Sequence, residues 1–185
     1  MLLEATGADP VADAARFETF LAGMLDCGTV ADAVIAKSRK EGRELWALRE
    51  AGAEYSRILG SITSFDISFA ISQLGGVVEA CQTRLRARWP EIIVLCYGHA
   101  GDGNVHVICN LPGALPQPTE EITKIVYAVV REHRGSISGE HGIGTRKLPY
   151  LAYSRSAEEL ALMRTLKHAI DPRNILNPGK VLLEH

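Results

Sequence analysis

Apolar residues recur along this chain with two distinct periods. Ala14, Phe17, Phe20, Leu21 and Met24 stand at helical spacing, and Asp9-Pro10 ahead of them offers a cap and a proline suited to the first helical position. A second helical stretch is expected from Glu44, with Leu45, Leu48, Tyr55 and Leu59 on one face, and both helical faces are expected to be core. From Ser64 the period falls to two. Phe65, Ile67, Phe69 and Ile71 alternate with Ser64, Asp66, Ser68 and Ala70, the pattern of a half-buried strand. The next helix carries Leu74, Val77, Val78, Cys81 and Leu85, and the unbroken apolar run from Ile92 to Tyr97 predicts a strand buried on both faces and central in its sheet.

Asp102-Gly103 is a turn signal, after which Val105, Val107 and Cys109 alternate with Asn104, His106 and Ile108, so a hairpin is expected. A Pro/Gly-rich stretch, Leu111 to Pro118, leads into a helix with Ile122, Ile125, Val126, Val129 and Val130 on one stripe. Gly135 to Ile137 and Leu2 to Ala5 suit two further short strands. The last helix opens with a capping box, Ser156 and Glu159, carries Leu160, Met163, Leu166 and Ile170, and stops before Asp171-Pro172. This order is that of an α+β fold: a mostly antiparallel sheet with packed helices, in a ferredoxin-like split βαβ topology.

With 185 residues against about 150 per domain, one core spanning 1–185 is expected, and a strand at residue 2 without lead-in suggests that the domain's opening elements are missing. The 20 basic residues nearly balance the 22 acidic ones and no basic run stands out, so no nucleic-acid footprint is present. No apolar run approaches a transmembrane span. Cys27, Cys81, Cys96 and Cys109 are widely spaced without a C-x-x-C pair, which points to free thiols in a reducing compartment and hence to the cytoplasm.

Candidate chemistry concentrates in two segments. In Gly98 to His106, His99 and His106 flank a glycine-rich turn and can face one another across the base of the hairpin, within reach of one ion. In Ser138 to Gly144, Glu140 and His141 add a carboxylate and an imidazole. His99, His106 and Glu140 together make a two-histidine, one-carboxylate set that leaves positions open on Zn, Mn or Fe. The two histidines taken by themselves read more readily as hydrogen-bonded turn or core residues, a balance that Glu140-His141 reverses, and Asp102 is read as shaping its turn through nearby amides. Arg49, just off its helical stripe, can clamp a carboxylate or simply pair with Glu50 or Glu54. No P-loop, dinucleotide fingerprint or G-x-S-x-G elbow is present.

GHAGDGNVH (Gly98 to His106), SGEHGIG (Ser138 to Gly144) and DPRNILNPGK (Asp171 to Lys180), in this order, resemble the C-terminal domain of FAD-linked oxidases, the group of D-lactate and D-2-hydroxyglutarate dehydrogenases and the glycolate oxidase D subunit. The resemblance covers essentially the whole chain. It implies oxidation of a 2-hydroxy acid with FAD as hydride acceptor. His99, His106 and Glu140 fall on metal ligands, His141 on the residue that removes the hydroxyl proton, Arg49 on a carboxylate-binding arginine and Asn177 on a residue close to the flavin. It also implies an FAD-binding domain or subunit as partner, without which the chain alone is expected to be inactive; self-association is a further expectation.

Where hydroxyglutarate-specific members of the group place a threonine, a lysine and an asparagine, this chain has Ala53, Ser64 and Ile108, which favours a monocarboxylic substrate over a dicarboxylic one. Two alternatives stand beside this reading: a stand-alone metal-dependent hydrolase with His141 activating water, and a non-catalytic assembly module.

Overall fold

The computed structural model describes residues 1–182, the side chain of Ala53 excepted. Where one core is expected from the length, the chain forms two compact units, Met1–Ile58 and Leu59–His185. The first unit is helical. Helix α1 (Pro10–Asp26) starts as its sequence predicts: Pro10 opens the helix and the Asp9 side chain accepts from the backbone N–H groups of Val11 and Ala12. Helix α2 (Arg39–Glu50) is capped by Ser38.

Three expectations fail in this unit. Of the α1 face read as core, only Leu21 is buried, and Ala14 and Phe20 are exposed. The helical stripe expected through Leu59 is interrupted by a 3₁₀ turn, Ala51–Glu54, before a short α3 (Tyr55–Leu59), and Leu48 is exposed rather than core. Gly52 within that turn costs a helix about 1 kcal/mol relative to alanine. Leu2 to Ala5 form no strand, because an extended segment becomes one only by pairing with a neighbour, and among the described residues none pairs with it.

The second unit is built on three strands, β1 (Thr63–Ser68), β2 (Ile93–His99) and β3 (Asn104–Asn110), in the order β1-β3-β2 with both pairings antiparallel. Strands β1 and β2 are therefore parallel to one another, joined through helix α4 (Leu74–Arg88), with β3 inserted between them: the split βαβ unit expected from the element order. After β3, helix α5 (Thr119–Glu132) returns the chain to the outer side of β1. There the strand expected at Gly135 to Ile137 is reduced to one bridge, Ser68 with Ser136.

The apolar run Ile92–Tyr97 does not form the central strand. β2 lies at the edge and β3 takes the centre, although β3 alternates in sequence. The reason lies in what covers the polar side of β3, described below.

Strand alternation divides the sheet into two faces. One presents Phe65, Ile67, Val94, Val105, Val107 and Cys109 to Val77, Cys81 and Leu85 of α4 and to Ile122, Val126, Val129 and Val130 of α5, all within one buried cluster. Burial of such side chains stabilises by about 1.5–3 kcal/mol each. Arg84 grips Glu132 with two hydrogen bonds and Arg88 pairs with Glu121, tying α4 to α5. The other face carries Asp66, Tyr97, His99, Asn104 and His106. Helix α6 (Ala157–Ile170) has the capping box read from Ser156 and Glu159, and none of its residues is fully buried.

The four cysteines are free. Burial pushes the thiols of Cys81 and Cys109 up to about 12 and that of Cys96 up to about 11. Cys27 is exposed, and its hydrogen bond with the Thr29 side chain draws its pKa below the usual thiol value. Since the thiolate is the nucleophile, iodoacetamide is expected to modify the native chain at Cys27 alone and the other three only after unfolding. Peptide mass mapping before and after denaturation checks this.

Candidate active site

The polar face of the sheet owes its arrangement to Asp66. This residue sits mid-strand on β1, opposite His106 of β3, and is only 3% exposed. A buried carboxylate requires donors, and a folded-back segment supplies them. The backbone N–H groups of Glu140 and His141 donate to the Asp66 carboxylate at 3.0 and 2.8 Å, Gly139 N–H donates to the Asp66 carbonyl at 3.2 Å, and the Lys147 ammonium reaches the carboxylate at 3.4 Å, while the Ser138 hydroxyl, 3.4 Å from the carboxylate, donates to the Gly142 carbonyl at 2.9 Å. Lys147 also donates to Ser138 Oγ at 3.0 Å.

Burial alone raises the pKa of Asp66, but the two amides, with the positive charge of Lys147, outweigh it and leave the group below its ordinary value. Segment 138–141 is thereby laid along β1 and over the polar side of β3. That cover accounts for the burial of Asn104 on a strand that reads as half-exposed.

Glycine at 139 is a steric requirement of this arrangement. A Cβ there would stand 2.7 Å from Asp66 Oδ1 and 2.8 Å from Asn104 Oδ1. Asn104 in turn donates from Nδ2 to Glu140 Oε1 at 2.5 Å. Its own Oδ1 is buried and finds no donor among the described residues. The reverse amide orientation would set that oxygen against a carboxylate, so the unmet acceptor, at about 1–3 kcal/mol, is the lesser cost.

The result gathers three of the residues singled out in the sequence. His106 Nε2 lies 3.8 Å from Glu140 Oε2, the His106 and His141 rings have centroids 5.8 Å apart, and Tyr97 stacks against His106 at 5.0 Å. His141 Nδ1 stands 3.6 Å from Asp66 Oδ2. His99 is placed differently from its expectation. The short turn Ala100–Asp102, with Gly103 in the left-handed region, sets the hairpin register so that His99 opposes Asn104 and His106 opposes Tyr97. The two histidines share a face without facing one another, and His99 ends an edge strand, exposed. Asp102 shapes the turn as expected, accepting from Asn104 N–H at 3.0 Å.

The donors fit a divalent ion in part. A separation of 3.8 Å exceeds a hydrogen bond, yet it lies within the span of two ligands sharing one ion at bonds of about 2.0–2.2 Å. His99 does not complete the set as the side chains stand: among the described residues no three His, Cys, Asp or Glu side chains are grouped to hold an ion.

Arg49 lies in the last turn of α2, in the first unit, where a cation complements the helix dipole. Asn177 adopts the left-handed conformation (φ +49°), is exposed, and its carbonyl accepts from Lys180 N–H at 3.3 Å. The turn before it is organised by a second buried aspartate. Asp171 accepts from Lys167 Nζ at 2.5 Å and from the backbone N–H groups of Ile175 and Leu176, while Lys167 reaches the Leu176 carbonyl.

Asp66, Asn104 and Lys147 carry structure that the sequence reading did not assign. A signal existed for Asp66: aspartate is depleted inside strands, so one in mid-strand needs a partner. Asn104 read only as an alternating polar position, and Lys147 carried no reading of its own.

A family profile described as "FAD linked oxidases, C-terminal domain" matches residues 1–181. A protein of Oryza sativa subsp. indica named "Probable D-2-hydroxyglutarate dehydrogenase, mitochondrial" is 37% identical over 182 residues, 98% of this chain and 32% of that protein. A "D-2-hydroxyglutarate dehydrogenase" of Xanthomonas citri pv. viticola is 38% identical over 185 residues, 96% of this chain and 38% of that protein. The mitochondrial enzyme of that name from Bos taurus is 35% identical over 185 residues, 100% of this chain and 34% of that protein. The chain thus spans about a third of the length of these relatives. No helix among the described residues is long and apolar enough to cross a membrane.

The Asp171 turn has a defined pH response. The Lys167 ammonium, with the amides of Leu176 and Ile175, holds the Asp171 carboxyl below its usual range. Its contribution is therefore fully present above the unfolded value, about 3.9, and is lost as pH falls through the lower folded value. The melting-temperature difference between the wild type and Asp171→Asn is expected to be constant from neutral pH to about pH 5 and to close below about pH 4. Thermal melts across that range check it.

Proposed function

This chain belongs to the family of FAD-linked oxidase C-terminal domains, and on that footing we propose that it forms the substrate- and metal-binding part of a flavin-dependent D-2-hydroxyacid dehydrogenase. The reaction is oxidation of a 2-hydroxy acid to the 2-oxo acid. The observation that carries this reading is the gathering of His106, Glu140 and His141 on one polar sheet face by a buried carboxylate. When bound, FAD supplies the hydride acceptor and a divalent ion, Zn, Mn or Fe, supplies Lewis acidity toward the substrate hydroxyl.

In this proposal His106 and Glu140 hold the ion, and His99 joins them by side-chain rotation at its exposed strand end. His141 takes the proton from the hydroxyl, a role suited to an exposed imidazole with a carboxylate 3.6 Å from Nδ1. The Arg49 guanidinium pairs with the substrate carboxylate, and Asn177 lies toward the flavin. The remaining two thirds of the length seen in the relatives would bring the FAD-binding partner. The purified chain alone is accordingly expected to be colourless and without turnover. Its free thiols favour a cytoplasmic setting.

For the substrate, Ser64 and Ile108 oppose one another across β1 and β3, on the same face as Asp66 and His106. Ile108 is buried, at 4% exposure. This pair supplies no cation for a second carboxylate, and an unpaired buried carboxylate costs several kcal/mol. A monocarboxylic 2-hydroxy acid is the substrate this surface favours. The relatives' names favour the second reading, D-2-hydroxyglutarate.

In the complete enzyme, kcat/KM for D-lactate-type acids is expected to exceed that for D-2-hydroxyglutarate by about tenfold or more, equivalent to about 1.4 kcal/mol. A preference for the dicarboxylate selects the second reading. For the metal, elemental analysis after incubation with Zn²⁺ or Mn²⁺ and desalting is expected to find one ion per wild-type chain and almost none in Glu140→Ala. Equal retention by both removes Glu140 from the ligand set.

A further inference from the structure

We infer that Asp66 is a positioning residue: its single carboxylate, by holding two consecutive backbone amides, aims the Glu140 carboxylate and the His141 imidazole at His106. The inference rests on the proposed roles of Glu140 and His141 and extends them to a residue given no contact with substrate or ion in that proposal. Residues 140 and 141 lie in a glycine-flanked segment without regular secondary structure, closed locally by Ser138 Oγ donating to the Gly142 carbonyl at 2.9 Å, a bond that touches neither residue.

Their placement comes from across the chain. Two N–H groups converge on one carboxylate at 3.0 and 2.8 Å, and this limits the orientation of the peptide joining them. Asn104, on the strand beside Asp66, then holds the Glu140 side chain itself at 2.5 Å. Asp66 also stands directly opposite His106 in the β1–β3 register. The same strand pair thus positions the imidazole and the segment that meets it. Lys147 bonds the Asp66 carboxylate and carbonyl and the Ser138 hydroxyl but neither amide, so its loss leaves the two amide bonds to Asp66 in place.

The test uses the 185-residue chain with two readouts, amide hydrogen exchange at Glu140 and His141 and affinity for Zn²⁺ by titration. Asp66→Asn is expected to keep the helical circular dichroism, lose exchange protection at those two amides while α4 and α5 stay protected, and weaken Zn²⁺ binding by about 10- to 100-fold. Lys147→Met removes the ion pair but leaves both amide bonds, so it is expected to retain protection at 140 and 141.

Intact protection and affinity in folded Asp66→Asn would overturn the inference, as would a Lys147→Met variant with the same double loss. Should Asp66→Asn fail to fold, Gly139→Ala decides: its methyl is pushed against the Asp66 carboxylate and must produce the same joint loss, and wild-type behaviour in that variant overturns the inference. Absence of Zn²⁺ binding by the wild type counts against the metal reading alone. Wild-type amides at 140 and 141 that exchange as fast as an open loop count against the positioning role alone.

Discussion

A carboxylate in the middle of β1 has to be satisfied, and most of what is particular to the second unit follows from how this is done. Buried at that position, Asp66 draws in the amides of Glu140 and His141 and the ammonium of Lys147. A segment with no secondary structure of its own is thereby held against a sheet, and only there do Glu140 and His141 stand beside His106. The demand is electrostatic and one-sided: an ion taken from water costs several kcal/mol unless its lone pairs are met. The surrounding chain has little room to meet it otherwise, as a Cβ at Gly139 would displace the Asp66 or Asn104 side chain.

The same device recurs at Asp171. Again a buried aspartate takes two backbone amides, here from residues four and five positions further along the chain, and again a lysine supplies the opposing charge. In both places the motif residues with proposed roles, Glu140 and His141 in one and Asn177 in the other, belong to irregular segments organised by a carboxylate, from across the sheet in the first case and from within the motif in the second. Binding groups on loops positioned by a rigid scaffold are common. Here the link between scaffold and loop can be named atom by atom.

The helices and their ends were legible in sequence. Asp9-Pro10 and the Ser156 and Glu159 pair cap the helices they announce, since capping depends on side chains within one turn of the amides they satisfy. The order of elements also carried the split βαβ topology. Strand position was not legible. The apolar run Ile92–Tyr97 became an edge strand, while β3, with Asn104 and His106 along it, took the centre, because the second cover of β3 is a polar segment with its own hydrogen bonds rather than a greasy layer. Leu2 to Ala5 and Gly135 to Ile137 have strand-like composition and no ladder, or one bridge of it, and pairing is a property of two segments.

The candidate site divides along the same line. Sequence alone determined which groups are available: two imidazoles around a glycine turn, a Glu-His dipeptide among glycines, and the family to which these motifs belong. Tertiary structure decided which of them meet. It joined His106 to Glu140 and His141, set His99 two residues along β2 from the position facing His106, opposite Asn104, and made Asp66, a polar position in an alternating strand, the anchor of the arrangement. The physical reason is range. Periodicity, capping and turn chemistry act over a few residues and can be read from them, whereas the bonds between Asp66 and the amides of Glu140 and His141 cross more than seventy positions and exist only once β1 and the returning segment have been brought side by side.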